Sequence, residues 1–228
     1  MKSPEDLLFD HFAQFVSDHK KGFIEKVLAS RTRYVTVVLE NIYQSQNASA
    51  VLRTCECMGI QDVHIVENTA KYQLNTRVLK GADKWLNLER YRTRGFNNTE
   101  ICYKRLKDNG YRILVADPAA DGTAVDDIDV FSDKIAIVFG NELNGASPYA
   151  IANADERVRI PMFGFTESLN ISVSVAICLN SILPKLRASQ NTRIRLSESE
   201  QKTIRATWYR KIVRRSDILE REFLRTIQ

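Results

Sequence analysis

The feature that most constrains the fold is the run Ile-Ala-Ile-Val-Phe at residues 135–139, which is followed directly by a glycine. A strand without any polar position has both of its faces covered, which is typical of a central strand in a parallel sheet with helices on both sides. The chain of 228 residues is long enough to bury such a core without disulfide or metal support. We therefore predict an α/β domain built on a mainly parallel sheet.

Shorter apolar runs along the chain predict the rest of this sheet. Further strands are expected at 34–39, 63–66, 113–116 and 158–160. Helical spacing of apolar residues predicts two short helices before residue 34 and longer ones at about 48–58, 97–109, 166–186 and 197–225. Gly110 is expected to end one of these helices, and Ser197 with Glu200 has the spacing of a capping box. Residues 73–88 are ambiguous, and residues 117–129 are rich in turn formers.

The composition argues against a membrane span, a metal site or a hydrolytic nucleophile. No continuous apolar run approaches the roughly 18 residues of a membrane span, and the polar, acidic start is unlike a signal peptide. The four cysteines, Cys55, Cys57, Cys102 and Cys178, include no CxxC pair, and the three histidines lie scattered without an HExxH motif. We expect a soluble, cytoplasmic protein with reduced thiols and no metal site.

The net charge of +5 is concentrated at the C-terminal end of the chain. Residues 185–228 contain 12 Lys and Arg against 5 Asp and Glu, whereas residues 1–184 contain 21 against 23. A basic segment of this kind is typical of proteins that bind a polyanion, although a well-solvated helix has the same composition. Both explanations stay open from composition alone.

Three polar loops follow predicted strands, where a parallel sheet places its ligands. The first loop contains Asn47, which can cap the following helix, and Arg53, nearly two helical turns later and expected near Asn47 in space. Burying that guanidinium is costly without a partner. Arg53 is therefore either part of a structural ion pair or a functional residue.

The second and third loops contain glycines that let the backbone approach a ligand closely. Residues 140–147 (GNELNGAS) lack the GK[ST] of a phosphate-binding loop, and a plain turn is the alternative explanation. In residues 160–174, Pro161 and Gly164 force an irregular backbone before the start of a predicted helix. Ser168 can serve as the N-cap of that helix, whereas Asn170 and Ser172 need another partner.

Three segments in order resemble the motifs of the SPOUT methyltransferases, and most closely those of the TrmH branch. The segments are NASAVLRTCECMGI, IVFGNELNGAS and IPMFGFTESLNISVSVAICL. The resemblance covers about residues 34–186 and implies an α/β sheet whose C-terminal part forms a deep trefoil knot, a rare exception to unknotted topology. It also implies a homodimer. The domain organisation expected on this basis is a helical extension at 1–32, a methyltransferase domain at 33–186 and a basic helical extension at 187–228.

The resemblance implies S-adenosylmethionine as cofactor and the ribose 2′-hydroxyl of a tRNA guanosine as acceptor, at D-loop position 18. The residues that match the cofactor-binding positions of the family are Gly140, Asn141, Ile160, Met162 and Leu169. Those that match its catalytic positions are Arg53, Asn47, Glu142, Ser168 and Asn170. No metal is implied.

The role of Arg53 at the hydroxyl has two explanations, because a guanidinium normally stays charged. Either a desolvated site lets a neutral guanidine accept the proton, or Arg53 stays cationic and stabilises the developing alkoxide while a phosphate or water accepts the proton. The second is favoured energetically. From the placement of Arg53 in the first motif we predict that Arg53→Ala abolishes methylation while cofactor binding stays nearly normal.

The basic C-terminal segment becomes a candidate tRNA-binding region on this basis. Its candidate phosphate contacts are Arg187, Arg193, Arg195, Lys202, Arg205, Arg210, Lys211, Arg214 and Arg215. Trp208 and Tyr209 can stack on a base or pack in the core, and packing is favoured for Trp208. Two other functions stay open: an rRNA ribose 2′-O-methyltransferase of the same family, and a noncatalytic RNA-binding protein with this fold.

Overall fold

The computed structural model describes residues 4–118 and 121–226, and the chain forms two compact units. Thr32–Ile194 form the sheet unit, whereas Met1–Arg31 and Arg195–Gln228 together form the terminal unit. Both expected terminal extensions thus contribute to one helical body. The division at 32/33 and 186/187 stays a prediction about domain organisation.

A seven-stranded sheet organises the sheet unit, and every strand pairing in it is parallel. The strands are β1 (Val35–Glu40), β2 (Asp62–Val66), β3 (Asn87–Tyr91), β4 (Tyr111–Ala116), β5 (Thr123–Ala124), β6 (Lys134–Phe139) and β7 (Glu156–Arg159), in the order β3-β2-β1-β6-β4-β7-β5. The apolar run at 135–139 lies in β6 between β1 and β4, and all five of its residues are buried. The predicted mainly parallel α/β architecture is confirmed.

Helices cover the sheet and form the terminal unit. They are α1 (Pro4–Ala13), α2 (Asp18–Leu28), α3 (Ser45–Cys57), α4 (Thr76–Leu79), α5 (Asn98–Asp108), α6 (Pro148–Asn153), α7 (Ile171–Ala188), α8 (Glu198–Ile212) and α9 (Ser216–Thr226), with single 3₁₀ turns at Ala82–Lys84, Val125–Asp127 and Thr192–Ile194. Gly110, at φ +77°, follows the end of α5 as predicted. The predicted capping box of Ser197 and Glu200 begins α8 and is likewise confirmed.

Several predicted boundaries are wrong, each for a local physical reason. Helix α7 begins at Ile171 rather than near 166, because the Asn170 side chain accepts the Ser172 N–H and caps it there. The single helix predicted for 197–225 is two helices, and Arg215 between them has a left-handed φ of +55°. Strand β3 comes from the ambiguous segment, β5 from the turn-rich one, and β7 ends at Arg159 instead of Ile160.

The core of the sheet unit includes helix α7, which packs on α3. By length and mean hydropathy (1.3) α7 could cross a membrane, a test that core helices of soluble proteins also pass. Its residues Val175, Cys178, Leu179 and Ile182 are buried in the main apolar cluster, so here it acts as a core helix. Burial raises the pKa of the Cys178 thiol to about 12, which makes that thiol unreactive at neutral pH.

In the terminal unit, the two aromatic residues singled out in the sequence are both packed. Trp208 is 2% exposed, with the guanidinium of Arg31 over its ring at 5.4 Å, and the ring of Tyr209 stacks on Phe9 at 5.0 Å. Packing of Trp208 is therefore confirmed. Neither ring is free to stack on an RNA base.

Candidate active site

A cavity of about 660 Å³ opens at the carboxyl ends of the central strands, as expected for a parallel sheet. Its walls come from four segments that are distant in sequence. These are the loop after β1 (Gln44 and Asn47), the end of β4 (Ala116, Asp117 and Pro118), the loop after β6 (140–146) and the segment between β7 and α7 (Ile160, Met162 and 167–171).

The loop after β6 is a tight, internally bonded turn. The Asn141 and Gly145 backbones exchange two N–H to carbonyl hydrogen bonds at 3.0 Å, and the Asn141 side chain accepts the N–H groups of Leu143 and Asn144. A Cβ at Gly140 would lie 2.0 Å from the backbone nitrogen of Ala146, a distance that no side chain can accept. Only glycine therefore allows this turn to close against the cavity.

A buried carboxylate fixes this loop to the sheet. Glu40, the last residue of β1, is 1% exposed, and its carboxylate accepts both the Ser147 N–H and the Ser147 hydroxyl at 2.8 Å. The hydroxyl of Thr99 donates to the same carboxylate at 2.5 Å. Ser147 also caps α6 by accepting the Ala150 N–H. Glu40 thus joins the loops that follow β1 and β6. We call residues 41–47 and 140–147 the anchored wall.

Three of the predicted catalytic residues meet at the mouth of the cavity. The Asn47 amide donates to Glu142 at 2.8 Å, while the Asn47 carbonyl oxygen accepts from the Asn170 amide at 3.1 Å. Asn47 does not cap α3 as predicted; it lies in the first turn, 8% exposed, and Gln44 occupies the N-cap position. Gln44 also accepts from the Asn47 amide at 3.1 Å, and sequence reasoning missed it.

The segment at 161–169 forms the other side of the cavity, and we call it the exposed wall. Met162, Ser168 and Leu169 line the cavity from it. Phe163 and Phe165 are 98% and 108% exposed. Among the residues that the structure describes, none in 161–169 makes a hydrogen bond. Ser168 therefore lines the cavity as expected but does not cap α7.

Arg53 is not brought to this cavity. Its side chain is exposed on α3, does not line the cavity, and makes no hydrogen bond or ion pair within the described part of the chain. Six residues correspond to about 600° around a helix, so Arg53 and Asn47 point in different directions. The expectation that the two side chains lie near each other is wrong, and the structural ion pair offered as an alternative is not formed either.

The five residues predicted to bind the cofactor line the cavity as expected. One segment that also lines it, the end of β4, was missed. Gly140, Asn141, Ile160, Met162 and Leu169 all line the cavity. The end of β4 was not singled out in the sequence, although Asp117 directly follows a predicted strand. Polar residues after every strand of a parallel sheet were the available signal. In the described residues, no group of three His, Cys, Asp or Glu side chains could hold a metal ion.

The candidate RNA-binding cations differ in how they are engaged. In the terminal unit, Lys202 pairs with Asp6, Arg205 with Glu25 at 2.5 Å and Arg210 with Glu220 at 2.5 Å. In the sheet unit, Arg187 donates to the Met58 carbonyl at 2.5 Å. Arg193, Arg195, Arg214 and Arg215 are exposed without a carboxylate partner in the described ranges, and Lys211 is exposed. Fewer cations are thus free for phosphates than the composition indicated.

Comparison with known proteins finds one matching family model and several similar proteins. The SpoU rRNA Methylase family model matches residues 34–180. A tRNA (guanosine(18)-2′-O)-methyltransferase of Borreliella burgdorferi is 42% identical over 91% of this chain and 92% of its own length. The Thermus thermophilus protein of the same name is 32% identical over 86% and 98%.

Among solved structures, a TrmH/SpoU tRNA modifying enzyme of Aquifex aeolicus superposes with a TM-score of 0.75 at 26% identity. The match covers 86% of this chain and 98% of the other. The family model covers more than half of the chain, and the relative from Borreliella burgdorferi is 42% identical over most of both chains, so the chain belongs to the SpoU methylase family.

Proposed function

We propose that this protein transfers a methyl group from S-adenosylmethionine to the ribose 2′-hydroxyl of guanosine 18 in the D-loop of tRNA. The observation that carries the proposal is the Asn47, Glu142 and Asn170 cluster at the mouth of a cavity. Relatives that share 42% and 32% of their residues with this chain are named for that reaction. The same proposal places the protein in the cytoplasm.

The cavity residues fit S-adenosylmethionine, the methyl donor of this family. Phe139, Ile160, Met162 and Leu169 supply apolar surface for a flat adenine ring, and Gly140 lets loop backbone approach it without a side chain. When bound, the cofactor supplies a methyl group that is activated as a sulfonium. The chain has to hold that group, exclude water and align the acceptor oxygen.

The polar cluster orients the acceptor. Glu142 and Asn170 both bond to Asn47, so the three side chains form one unit with fixed geometry rather than three independent groups. Ser168 lies on the opposite wall with its hydroxyl unbonded in the described part of the chain. We assign Asn47, Glu142, Ser168 and Asn170 to positioning the ribose and its phosphate.

A homodimer with a knotted C-terminal part belongs to the same proposal. The knot is what the family resemblance of residues 34–186 implies, and membership of the SpoU methylase family supports it. Phe163 and Phe165 support the dimer, because two nearly fully exposed phenylalanines beside a site indicate a surface that another protein covers. A second copy that covers the exposed wall would also close the cavity to solvent.

In the proposed dimer, Arg53 of one copy acts at the cavity of the other copy. Arg53 is exposed and lies outside the cavity of its own chain, so a second copy is what brings a guanidinium to the reacting hydroxyl. There it stays cationic and stabilises the developing alkoxide, because removing its proton is costly. Arg193, Arg195 and Arg214, which have no carboxylate partner among the described residues, contact tRNA phosphates.

The experiment that tests the function is methyl transfer from labelled S-adenosylmethionine to unmodified tRNA and, in parallel, to ribosomal RNA. We expect label in tRNA alone, on the ribose of guanosine 18, which nucleoside mapping would locate. Label in ribosomal RNA would instead establish the rRNA enzyme. Binding without any transfer would establish the noncatalytic alternative.

Mixing two inactive variants tests the position of Arg53. Arg53→Ala lacks the guanidinium, and Gly140→Ala lacks a cofactor loop of the right shape. If Arg53 acts across the dimer, a 1:1 mixture of the two chains regains about a quarter of the wild-type rate, since half of the dimers contain one complete site. If Arg53 acts within its own chain, every site in the mixture is defective and no activity returns.

A further inference from the structure

The loop at 92–97 is the feature of the sheet unit that the proposed function leaves without a role. All six of its residues are exposed, which no other loop between β2 and α5 shows. It carries two guanidiniums, Arg92 and Arg94, on either side of Thr93, followed by Gly95 and by Phe96, which has 68% of its surface exposed. Neither arginine has a hydrogen bond or ion pair within the described ranges. Cations without partners next to an exposed aromatic ring are typical of nucleic-acid contacts.

The loop is held in one shape in spite of its exposure. Asn98, 3% exposed, accepts the Thr93 N–H at 2.7 Å, and its amide donates to the carbonyl oxygens of Thr93 and Phe96 at 3.2 and 3.5 Å. Gly95 makes the reversal at φ +80°. A loop with its shape fixed in advance loses less conformational entropy when it binds a ligand.

Nearby carboxylates do not neutralise the two arginines. Glu67 is bonded to Arg90 at 2.8 Å, and Glu89 to Arg105 at 2.9 Å. The next acidic residue along the chain, Glu100, lies in the first turn of α5. The loop itself therefore presents a net positive surface.

The sheet register places this loop level with the active site. Glu40 pairs with Val66, and Val66 pairs with Tyr91, so β1, β2 and β3 end side by side. Two strand spacings separate the ends of β1 and β3, which is about 10 Å. An RNA strand with one ribose in the cavity therefore has neighbouring nucleotides within reach of residues 92–97.

We propose that the loop at 92–97 is a second RNA-binding surface, in which Arg92 and Arg94 contact phosphates and Phe96 stacks on a base flanking the target nucleotide. This inference rests on the proposed function for the identity of the RNA. It adds to the basic C-terminal segment a contact made by the sheet unit itself.

The test is the dissociation constant of unmodified tRNA, measured over a range of salt concentrations for full-length variants. For Arg92→Gln with Arg94→Gln we expect binding about tenfold weaker and a salt slope reduced by roughly 1.5, since each phosphate contact contributes about 0.7 to 0.9. Phe96→Ala is expected to weaken binding about tenfold with an unchanged salt slope. Binding of S-adenosylmethionine and the rate at saturating tRNA stay unchanged.

Two matched controls isolate the loop. Phe131→Ala removes a phenylalanine that is 50% exposed just before β6, at the amino ends of the strands and thus opposite the cavity. Arg105→Gln removes a guanidinium that is already paired with Glu89. Both are expected to bind tRNA like the wild type.

Wild-type affinity and salt slope in the loop variants would overturn the inference while leaving the methyltransferase function intact. Weaker binding with an unchanged salt slope in the double arginine variant would also overturn it, because no phosphate contact would have been lost. Absence of methyl transfer by the wild-type protein would instead contradict the proposed function.

Discussion

The two walls of the cavity are built in opposite ways. The anchored wall is fixed from within: Asn141 ties its loop to itself, and Glu40 ties that loop to β1 and α5 through Ser147 and Thr99. The exposed wall has no hydrogen bond among its described residues, and two of its phenylalanines face solvent. Yet both walls line the same cavity.

This difference shows that one chain by itself fixes the polar side of the cavity but not the opposite side. Buried hydrogen bonds preorganise the side of the site that holds the polar cluster, and preorganised dipoles act without a reorganisation cost at the moment of reaction. The exposed wall has no such hydrogen bonds among its described residues, so the cofactor, RNA or a second copy of the chain has to stabilise it. A backbone change that opens the turn of the anchored wall should therefore weaken cofactor binding, whereas a backbone change in the exposed wall that collides with nothing should not.

The same glycine-to-alanine change in both walls is expected to give the largest contrast. At Gly140 a Cβ would collide with loop backbone at 2.0 to 2.2 Å, so the turn has to open. At Gly164 a Cβ meets nothing within 4 Å. We expect Gly140→Ala to weaken S-adenosylmethionine binding about 100-fold, the effect of misplacing a site by about 1 Å, and Gly164→Ala to leave it unchanged.

Calorimetric titration of the cofactor into both variants, with circular dichroism as a check on folding, measures this contrast. Equal affinities for the two variants would contradict a preformed anchored wall. Asn141→Ala, which removes two loop hydrogen bonds without any collision, serves as an independent second disruption of the same turn.

How much of this could be predicted from sequence depends on how local the determining contacts are. The apolar run at 135–139, the glycine at 110 that follows α5 and the capping box at Ser197 are local patterns, and all three elements are present. Strand β3 (NLERY) escaped prediction because its polar residues are satisfied by pairing partners far along the chain, such as Glu89 with Arg105.

The sequence identified most residues of the site but not the contacts between them. Asn47, Glu142 and Asn170 were identified through family resemblance, but their bonds span 95 and 123 residues and no spacing rule reveals them. Asn47 was therefore misassigned as a cap. Arg53 was placed beside it because proximity in sequence was taken for proximity around the helix.

A smaller effect is expected from removing the carboxylate that supports the anchored wall. Glu40→Ala leaves the Ser147 N–H and the Thr99 hydroxyl without their buried acceptor, a cost of about 1 to 3 kcal/mol. Because Ser147 ends the cofactor loop, we expect about tenfold weaker cofactor binding. Glu40→Gln should restore most of it, since its amide can accept from the Ser147 N–H and donate to both hydroxyls.

Glu67 provides the matched control for Glu40. Its side chain is 6% exposed directly after β2, and it accepts from Arg90 and from the Tyr72 N–H at 2.7 Å. Within the residues that the structure describes, no hydrogen bond links that side chain to a cavity loop. Glu67→Ala is expected to lower the melting temperature as Glu40→Ala does, yet to leave cofactor affinity unchanged. If both variants lose affinity equally, Glu40 merely stabilises the fold.

The smallest effect on the site is expected from replacing His64, which lies in the sheet and outside both walls. Burial lowers the pKa of His64 in β2 to about 4, with Arg105 adding to the shift and Asp62 opposing it. Below about pH 6.5 His64 therefore binds a proton in the unfolded chain but not in the folded chain. The free energy of unfolding keeps the full contribution of His64 above that pH and falls as the pH drops towards 4.

For wild type we expect a loss of roughly 1 kcal/mol of unfolding free energy between pH 7 and pH 5.5 beyond that of His64→Gln. Urea unfolding of both proteins over this range measures the difference in slope, which does not depend on the absolute stability of the variant. Parallel slopes would place the acid-sensitive group elsewhere. Cofactor affinity of the folded fraction should be the same for both proteins, because the His64 ring bonds to the Tyr91 hydroxyl at 2.9 Å within the sheet and does not line the cavity.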